Sequence, residues 1–314
     1  MSHPHPPHKR LGRDIVGPVD GDERDGTLRQ VEAEIVELAV ELAVQAGRIA
    51  KAGFHAGPVR RLKADGSDVT DVDLAVEDAL RRTLDRRASG DAVYGEERGA
   101  SVGSSSRRWI LDPIDGTTGF ARGVPLFRNL IACEDEHGPA VAVVHEPMSR
   151  RLVVAGRGRG CRLRTSSDPL SEQGRRIRVS ERSGLVGAGV QGHNIGGWPV
   201  TLLEELHTRV LLLGEFGGCV GVATGTIDAM VIAGPRLGYE DLAPLPLLIG
   251  EAGGRVTDLA GAPVLTGDGS ALASNGLIHD ALIELTKDRG RCREDLQQLL
   301  GAANEAEPTV SRAQ

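Results

Sequence analysis

From residue 28 to 54 the apolar positions Val31, Ile35, Leu38, Leu42, Ala46 and Ile49 recur at steps of three and four, the signature of a long amphipathic helix closed by Gly53. A second helix opens at Thr70-Asp71-Val72-Asp73, a capping-box start, and carries Val72, Ala75, Val76, Ala79, Leu80 and Leu84 on one side. Asp73 therefore falls in its first turn. Short apolar runs bounded by turn residues follow at 92–94, 109–111, 130–133, 140–145 and 152–155, and these read as strands. The polar stretch 134–139 joins the middle pair as an antiparallel hairpin. The pattern implies a sheet with helices packed on it.

Beyond Gly156 short strands at 186–190, 210–213 and 227–232 alternate with helical stretches at 199–208, 217–224 and 240–252. That alternation implies a second layered α/β unit. The expected division is an N-terminal α+β unit over 28–156 and a C-terminal α/β unit over 157–300, with a boundary near Arg157 to Gly160. By composition, 1–27 and 301–314 read as solvated tails, and the tail histidines lack the spacing of a metal site. The string Gly156-Arg157-Gly158-Arg159-Gly160 lacks the flanking elements of a dinucleotide-binding loop and reads as a turn or linker.

Lys and Arg number 37 against 44 Asp and Glu, a net charge of −7, which argues against nucleic acid or an acidic membrane surface as partner. A small molecule, with metal, fits better. No apolar run approaches the roughly 20 residues that cross a bilayer, and the first residues lack the apolar stretch of a secretory signal, so a cytoplasmic location is expected. Cys133, Cys161, Cys219 and Cys292 lie far apart, the pattern of buried reduced thiols rather than of a zinc knuckle or disulfide framework.

Acidic residues gather where predicted strands end or helices begin. Gly95-Glu96-Glu97 follows one strand, Asp112-Pro113-Ile114-Asp115-Gly116-Thr117-Thr118 follows the next, and Glu240-Asp241 opens the helix expected over 240–252. A single acid at such a place can simply complement a helix dipole. The second cluster says more, because two aspartates around a proline, with Gly-Thr-Thr behind them, form a preset turn with exposed N–H groups. Carboxylates beside such a nest describe a divalent-cation site that also grips an oxyanion. Mg²⁺ is commonly held by a few carboxylates plus substrate phosphate, and without it these acids would repel a phosphate. Phosphate-ester hydrolysis is the reaction expected.

The stretch from Trp109 to Phe120, WILDPIDGTTGF, resembles the signature of the inositol monophosphatase family of lithium-sensitive, metal-dependent phosphatases. Lys63, Val69-Thr70 with Asp73, Gly95-Glu96-Glu97, Tyr239-Glu240-Asp241-Leu242-Ala243 and Glu251-Ala252-Gly253-Gly254 fall in the family's order, over about residues 28 to 290. The resemblance implies an αβαβα sandwich of the sugar-phosphatase type, a homodimer, and two to three Mg²⁺ ions. It implies that Glu96, Asp112 and the Ile114 carbonyl hold a first ion, that Asp112, Asp115 and Asp241 hold a second, and that Asp73 and Glu96 support a third through water. Asp73 and Thr117 would orient the attacking water, the Gly116 and Thr117 N–H groups would receive phosphate, and Glu97 would orient ligands or waters.

Gly119 stands where many members have Asn, and Tyr239-Glu240-Asp241 replaces the commoner Trp-Asp. Gly234-Pro235-Arg236-Leu237 supplies none of the acidic residues that hold inositol hydroxyls in inositol-specific members, and Leu213-Gly214 replaces their Gly-Ser pair. The resemblance therefore does not carry inositol specificity over. Residues 121–126 are similar to histidinol-phosphatase-like members, where Arg122 would meet a substrate anion. The expected substrate is a small polyol, sugar or amino-alcohol monophosphate. The alternatives are histidinol phosphate, fructose bisphosphate or a nucleotide, and, from another class, a metal-binding regulatory relative without turnover. Lys63 reads equally as a balancing charge and as a surface lysine, His145 and His193 have no assigned role, and Cys219 reads as core.

Overall fold

The computed structural model describes residues 29–286, apart from 166–168, 172, 194–197, 199, 215–216 and 234–236. The expected tails 1–27 and 301–314, and Cys292, lie outside the described residues. The long amphipathic helix is α1 (Ala33–Ala56), and α2 (Asp71–Arg87) lies against it. Between them a short hairpin, β1 (Arg60–Leu62) with β2 (Asp68–Thr70), brings Lys63 toward the acids.

The chain then builds an eight-stranded sheet. In chain order its strands are β3 (Ala92–Gly95), β4 (Gly99–Ser101), β5 (Arg108–Asp115), β6 (Arg128–Asp135), β7 (Gly138–Glu146), β8 (Arg151–Gly156), β9 (Gly160–Arg164) and β10 (Arg175–Arg176). Across the sheet they run β10-β9-β8-β7-β6-β5-β3-β4, with β3 and β5 parallel and the other pairs antiparallel. The expected boundary near Arg157 to Gly160 falls inside this sheet. Gly156 pairs with Gly160 across a tight turn and strand pairing continues to Arg176, so the glycine string is a hairpin turn and not a linker.

A five-stranded sheet follows, in the order β12-β11-β13-β15-β14, from β11 (Gly189–His193), β12 (Leu211–Leu213), β13 (Ala229–Ile232), β14 (Arg255–Thr257) and β15 (Ala271–Ser274). Its helices are α4 (Val200–Arg209), α5 (Gly218–Ala223), α6 (Tyr239–Leu242), α7 (Leu245–Glu251) and α8 (His279–Thr286). The helix expected over 240–252 is two helices, α6 and α7, because Pro244 has no N–H for a continuous ladder and instead opens α7.

These elements stack in five layers, α1 and α2, the large sheet, α5 with α7, the small sheet, then α4 and α8. Three apolar clusters seal the layers. The first includes Leu42, Val76, Leu80, Trp109 and Ile131 beneath α1 and α2; the second includes Val144, Val153, Leu248 and Ile249 between the sheets; the third includes Val190, Leu206, Leu272 and Leu282 under α4 and α8. The layered α/β sandwich expected from the sequence is the fold observed. Cys133, Cys161 and Cys219 are free and buried, and no described helix is long and apolar enough to cross a membrane.

Candidate active site

The residues of the Asp-Pro-Ile-Asp stretch do not leave the sheet at Leu111, as their turn-forming composition predicts. They extend β5 to Asp115, with the register to β6 shifting between Asp112 and Asp115. Pro113 is tolerated at that irregularity, where no ladder N–H is required. The buried Asn129 pins it by donating from Nδ2 to the Pro113 carbonyl at 2.5 Å. Gly116 then turns the chain at φ 90°, a left-handed conformation glycine adopts without cost, into the short helix α3 (Thr117–Phe120).

The shift aims Asp112 and Asp115 toward Asp241 of α6. One carboxylate oxygen from each lies within 4.8 Å of the others. Asp112 is 2% exposed and its Oδ1 has no hydrogen-bond partner. Burial, and then the neighbouring Glu96, Asp115 and Asp241, push the Asp112 carboxyl well above the usual range. Burial and Asp115 do the same to Asp241. Carboxylates gathered this closely, one of them buried with an orphaned oxygen, form a hard-oxygen set that fits a divalent cation.

Glu96 borders the set from the turn after β3. Burial raises it to about 7, against the pull of Lys63, whose Nζ donates to Glu96 Oε1 at 2.7 Å and lies 2.7 Å from Glu97 Oε1. Burial alone would lower the Lys63 pKa, but Glu96 and Glu97 override it and keep the ammonium charged. Lys63 is thus the balancing charge of the Glu96-Glu97 turn.

Asp73 occupies the third position of α2. Its Oδ2 accepts from the Thr70 N–H at 2.9 Å and from the Thr70 hydroxyl, while Thr70 Oγ1 caps the Val72 and Asp73 N–H groups. This is the capping box expected from Thr70-Asp71-Val72-Asp73. The other oxygen, Oδ1, faces Thr117, whose hydroxyl lies 3.1 Å from it and 2.9 Å from the Ile114 carbonyl. Arg122, expected to meet a substrate anion, donates to Asp68 Oδ2 at 3.2 Å and to the Thr118 carbonyl.

Several site residues had no sequence signal of their own. Glu77, fully buried in α2, accepts from the Glu97 and Arg98 N–H groups and from Arg81, and so shapes the turn that carries Glu96. Arg128 of β6 lies 3.1 Å from Asp115 Oδ2 and 3.2 Å from Glu146. Burial and then the neighbouring Glu240 hold the Tyr94 hydroxyl above its usual range, and Oε2 of Glu240, a residue already marked in the sequence beside Asp241, is buried without a partner. Only partners far away in sequence reveal these roles. His145 packs under α1, with Nδ1 2.8 Å from the Ala43 carbonyl, and His193 ends β11. Burial raises the Cys219 thiol to about 11, which fits core rather than a nucleophile.

The chain is thus a five-layer α/β sandwich that carries a carboxylate cluster suited to a divalent cation. The chain belongs to the inositol monophosphatase family, whose model matches residues 32–291. It is 39% identical to a histidinol-phosphatase of Mycobacterium tuberculosis over 78% of this chain and 95% of that protein. It is 32% identical to an inositol-1-monophosphatase of Mesorhizobium japonicum over 81% of this chain and 96% of the relative. Its fold superposes on the Thermotoga maritima IMPase with a TM-score of 0.70 at 25% identity, covering 82% of this chain and 98% of that one.

Proposed function

We propose that this protein hydrolyses a small phosphate monoester to an alcohol and inorganic phosphate with Mg²⁺ bound, and that an amino-alcohol phosphate, histidinol phosphate first, is its substrate. The observation that carries the reading is the convergence of Asp112, Asp115 and Asp241, with Asp112 Oδ1 buried and without a partner. These three, with Glu96 and the Ile114 carbonyl, would hold two Mg²⁺ ions, and Asp73 would support a third. Bound Mg²⁺ supplies Lewis acidity and lowers the pKa of a coordinated water.

The protein's own residues do the positioning. Thr117 Oγ1 donates its one proton toward Asp73 and Ile114, which leaves its lone pairs to accept from a water. Asp73, held by Thr70, fixes that hydroxyl and with it the line of attack. The N–H groups of Gly116 and Thr117, at the start of α3, have no partner within the helix and would receive phosphoryl oxygens. The similarity to a histidinol-phosphatase supports an amino-alcohol substrate. So does Glu240, whose buried, unpartnered Oε2 beside Asp241 suits an ammonium on the leaving alcohol. Retention of every carboxylate named favours turnover over a purely regulatory role.

The test is phosphate release from histidinol phosphate, inositol 1-phosphate, fructose 1,6-bisphosphate and nucleotide monophosphates, each with Mg²⁺ and with EDTA. The expected result is Mg²⁺-dependent release, fastest from histidinol phosphate. Silence on the whole panel with Mg²⁺ would contradict the reading, and preference for inositol 1-phosphate would contradict its substrate.

A further inference from the structure

The glycine-arginine string of residues 156–160 plays no part in the reading above, yet it forms the floor of a cavity of about 460 Å³ at the far edge of the large sheet. We propose that this cavity is a second binding site, for a small organic polyanion bearing phosphate groups. It lies beside β9, four strand steps from β5 and so roughly 19 Å from the carboxylate cluster at the usual strand spacing.

Among the described residues four arginines line it, Arg159, Arg162, Arg164 and Arg176, against one carboxylate, Glu37. In a chain of net charge −7 this convergence runs against the overall balance. Glu37 is already engaged, since it pairs with Arg164 at 2.9 Å. Arg162 donates to the Gly174 carbonyl and Arg159 to the Val31 carbonyl, so each keeps further N–H groups for a ligand. No acid pairs with Arg159, Arg162 or Arg176 among the described residues.

The site is built into the fold. Arg164 is 3% exposed and its Nε, buried among the lining residues, has no hydrogen-bond partner. Gly160 lets the Arg176 guanidinium lie against the backbone, because a Cβ there would stand 2.7 Å from Arg176 Nη2. At Gly156 a Cβ would stand 2.9 Å from Val36, so that position has no room for a side chain. Glu251 of α7 accepts from the Gly158 and Gly160 N–H groups at 2.6 Å each, which fixes the turn. Ala33, the first residue of the 24-residue helix α1, also lines the cavity, and a helix of that length directs positive potential into it. Guanidinium groups pair bidentately with phosphate oxygens, and the volume suits a small metabolite.

The test is calorimetric titration of the full chain with inorganic pyrophosphate in EDTA, where the metal-free carboxylate cluster repels anions. Saturable one-to-one binding is expected, weakened by about tenfold for each of Arg162→Gln and Arg176→Gln, two side chains that reach solvent and whose loss leaves the core intact. Asp241→Asn should leave this binding unchanged, which separates the site from the catalytic reading. Citrate in place of pyrophosphate distinguishes the source of charge, and equal or tighter binding of citrate would overturn the phosphate assignment. Absence of saturable binding, or binding insensitive to both arginine variants, would overturn the site. So would a shift in sedimentation of those variants without any change in pyrophosphate affinity, because the arginines would then face a second copy of the chain.

Discussion

Asp112→Asn should make the metal-free protein more stable while destroying its response to Mg²⁺. The Asp112 carboxyl is 2% exposed, its Oδ1 lacks a partner, and it shares a sphere of 4.8 Å with Asp115 and Asp241 oxygens. Two unit charges about 5 Å apart at an effective dielectric near 20 repel by about 3 kcal/mol, and Asp112 faces two such neighbours. Partial protonation of the crowd reduces this, so a gain of about 2 kcal/mol is expected when the charge is removed without changing the shape. Urea melts in EDTA read that gain directly. In Mg²⁺ at about a hundred times its dissociation constant the wild type should gain roughly 3 kcal/mol and the variant almost nothing, so their order reverses. Turnover should fall by about two to three orders of magnitude. A variant less stable than wild type in EDTA would refute the reasoning, since Asp112 would then be a structural hydrogen-bonding residue.

Thr70→Val removes both the cap of α2 and the hydroxyl held by Asp73, and should cost about 2 kcal/mol in urea melts, with a loss of turnover that Thr70→Ser largely restores. Gly95→Ala would place a Cβ 2.1 Å from Glu77 Oε1, so a loss of about 2 to 3 kcal/mol is expected and wild-type stability would contradict the packing described. His279, buried between Ser274 and Thr257, has its pKa lowered to about 4 by burial and then by Arg255. The unfolded chain therefore binds the proton first, and stability from this residue, present at pH 7, falls as pH drops below about 6.5. Between pH 7 and 5 wild type should lose roughly 2 kcal/mol more than His279→Asn, and parallel pH profiles would contradict this.

Much of this molecule is legible in its sequence, for physical reasons that also mark where legibility stops. The three- and four-residue apolar rhythm gives α1, and the Thr70-to-Asp73 capping box marks the start of α2 and puts Asp73 in its first turn. The sheet strands with continuous apolar runs, such as Ala140 to His145 within β7, are equally plain. The exposed β1, Arg-Arg-Leu, is not, because a solvated strand carries no apolar pattern. The extension of β5 through Asp112-Pro113-Ile114-Asp115 hides behind turn-forming residues. Pairing with β6 on both sides of the irregularity, and Asn129 bonded to the Pro113 carbonyl, hold it in the sheet.

The site divides the same way. Asp112, Asp115 and Asp241 are visible because acids at element ends are conspicuous and their motifs resemble those of a known family. Glu77 and Arg128 are not, since an acid inside an amphipathic helix or an arginine on a strand looks like ordinary surface until folding brings its partner near.

The most direct test of the central claim is steady-state phosphate release from histidinol phosphate by the wild-type protein, stripped with EDTA and then titrated with Mg²⁺. The account predicts no turnover in EDTA, recovery that saturates with Mg²⁺, and no recovery in Asp241→Asn at the same Mg²⁺. Turnover that persists in EDTA, or that survives loss of Asp241, would contradict it.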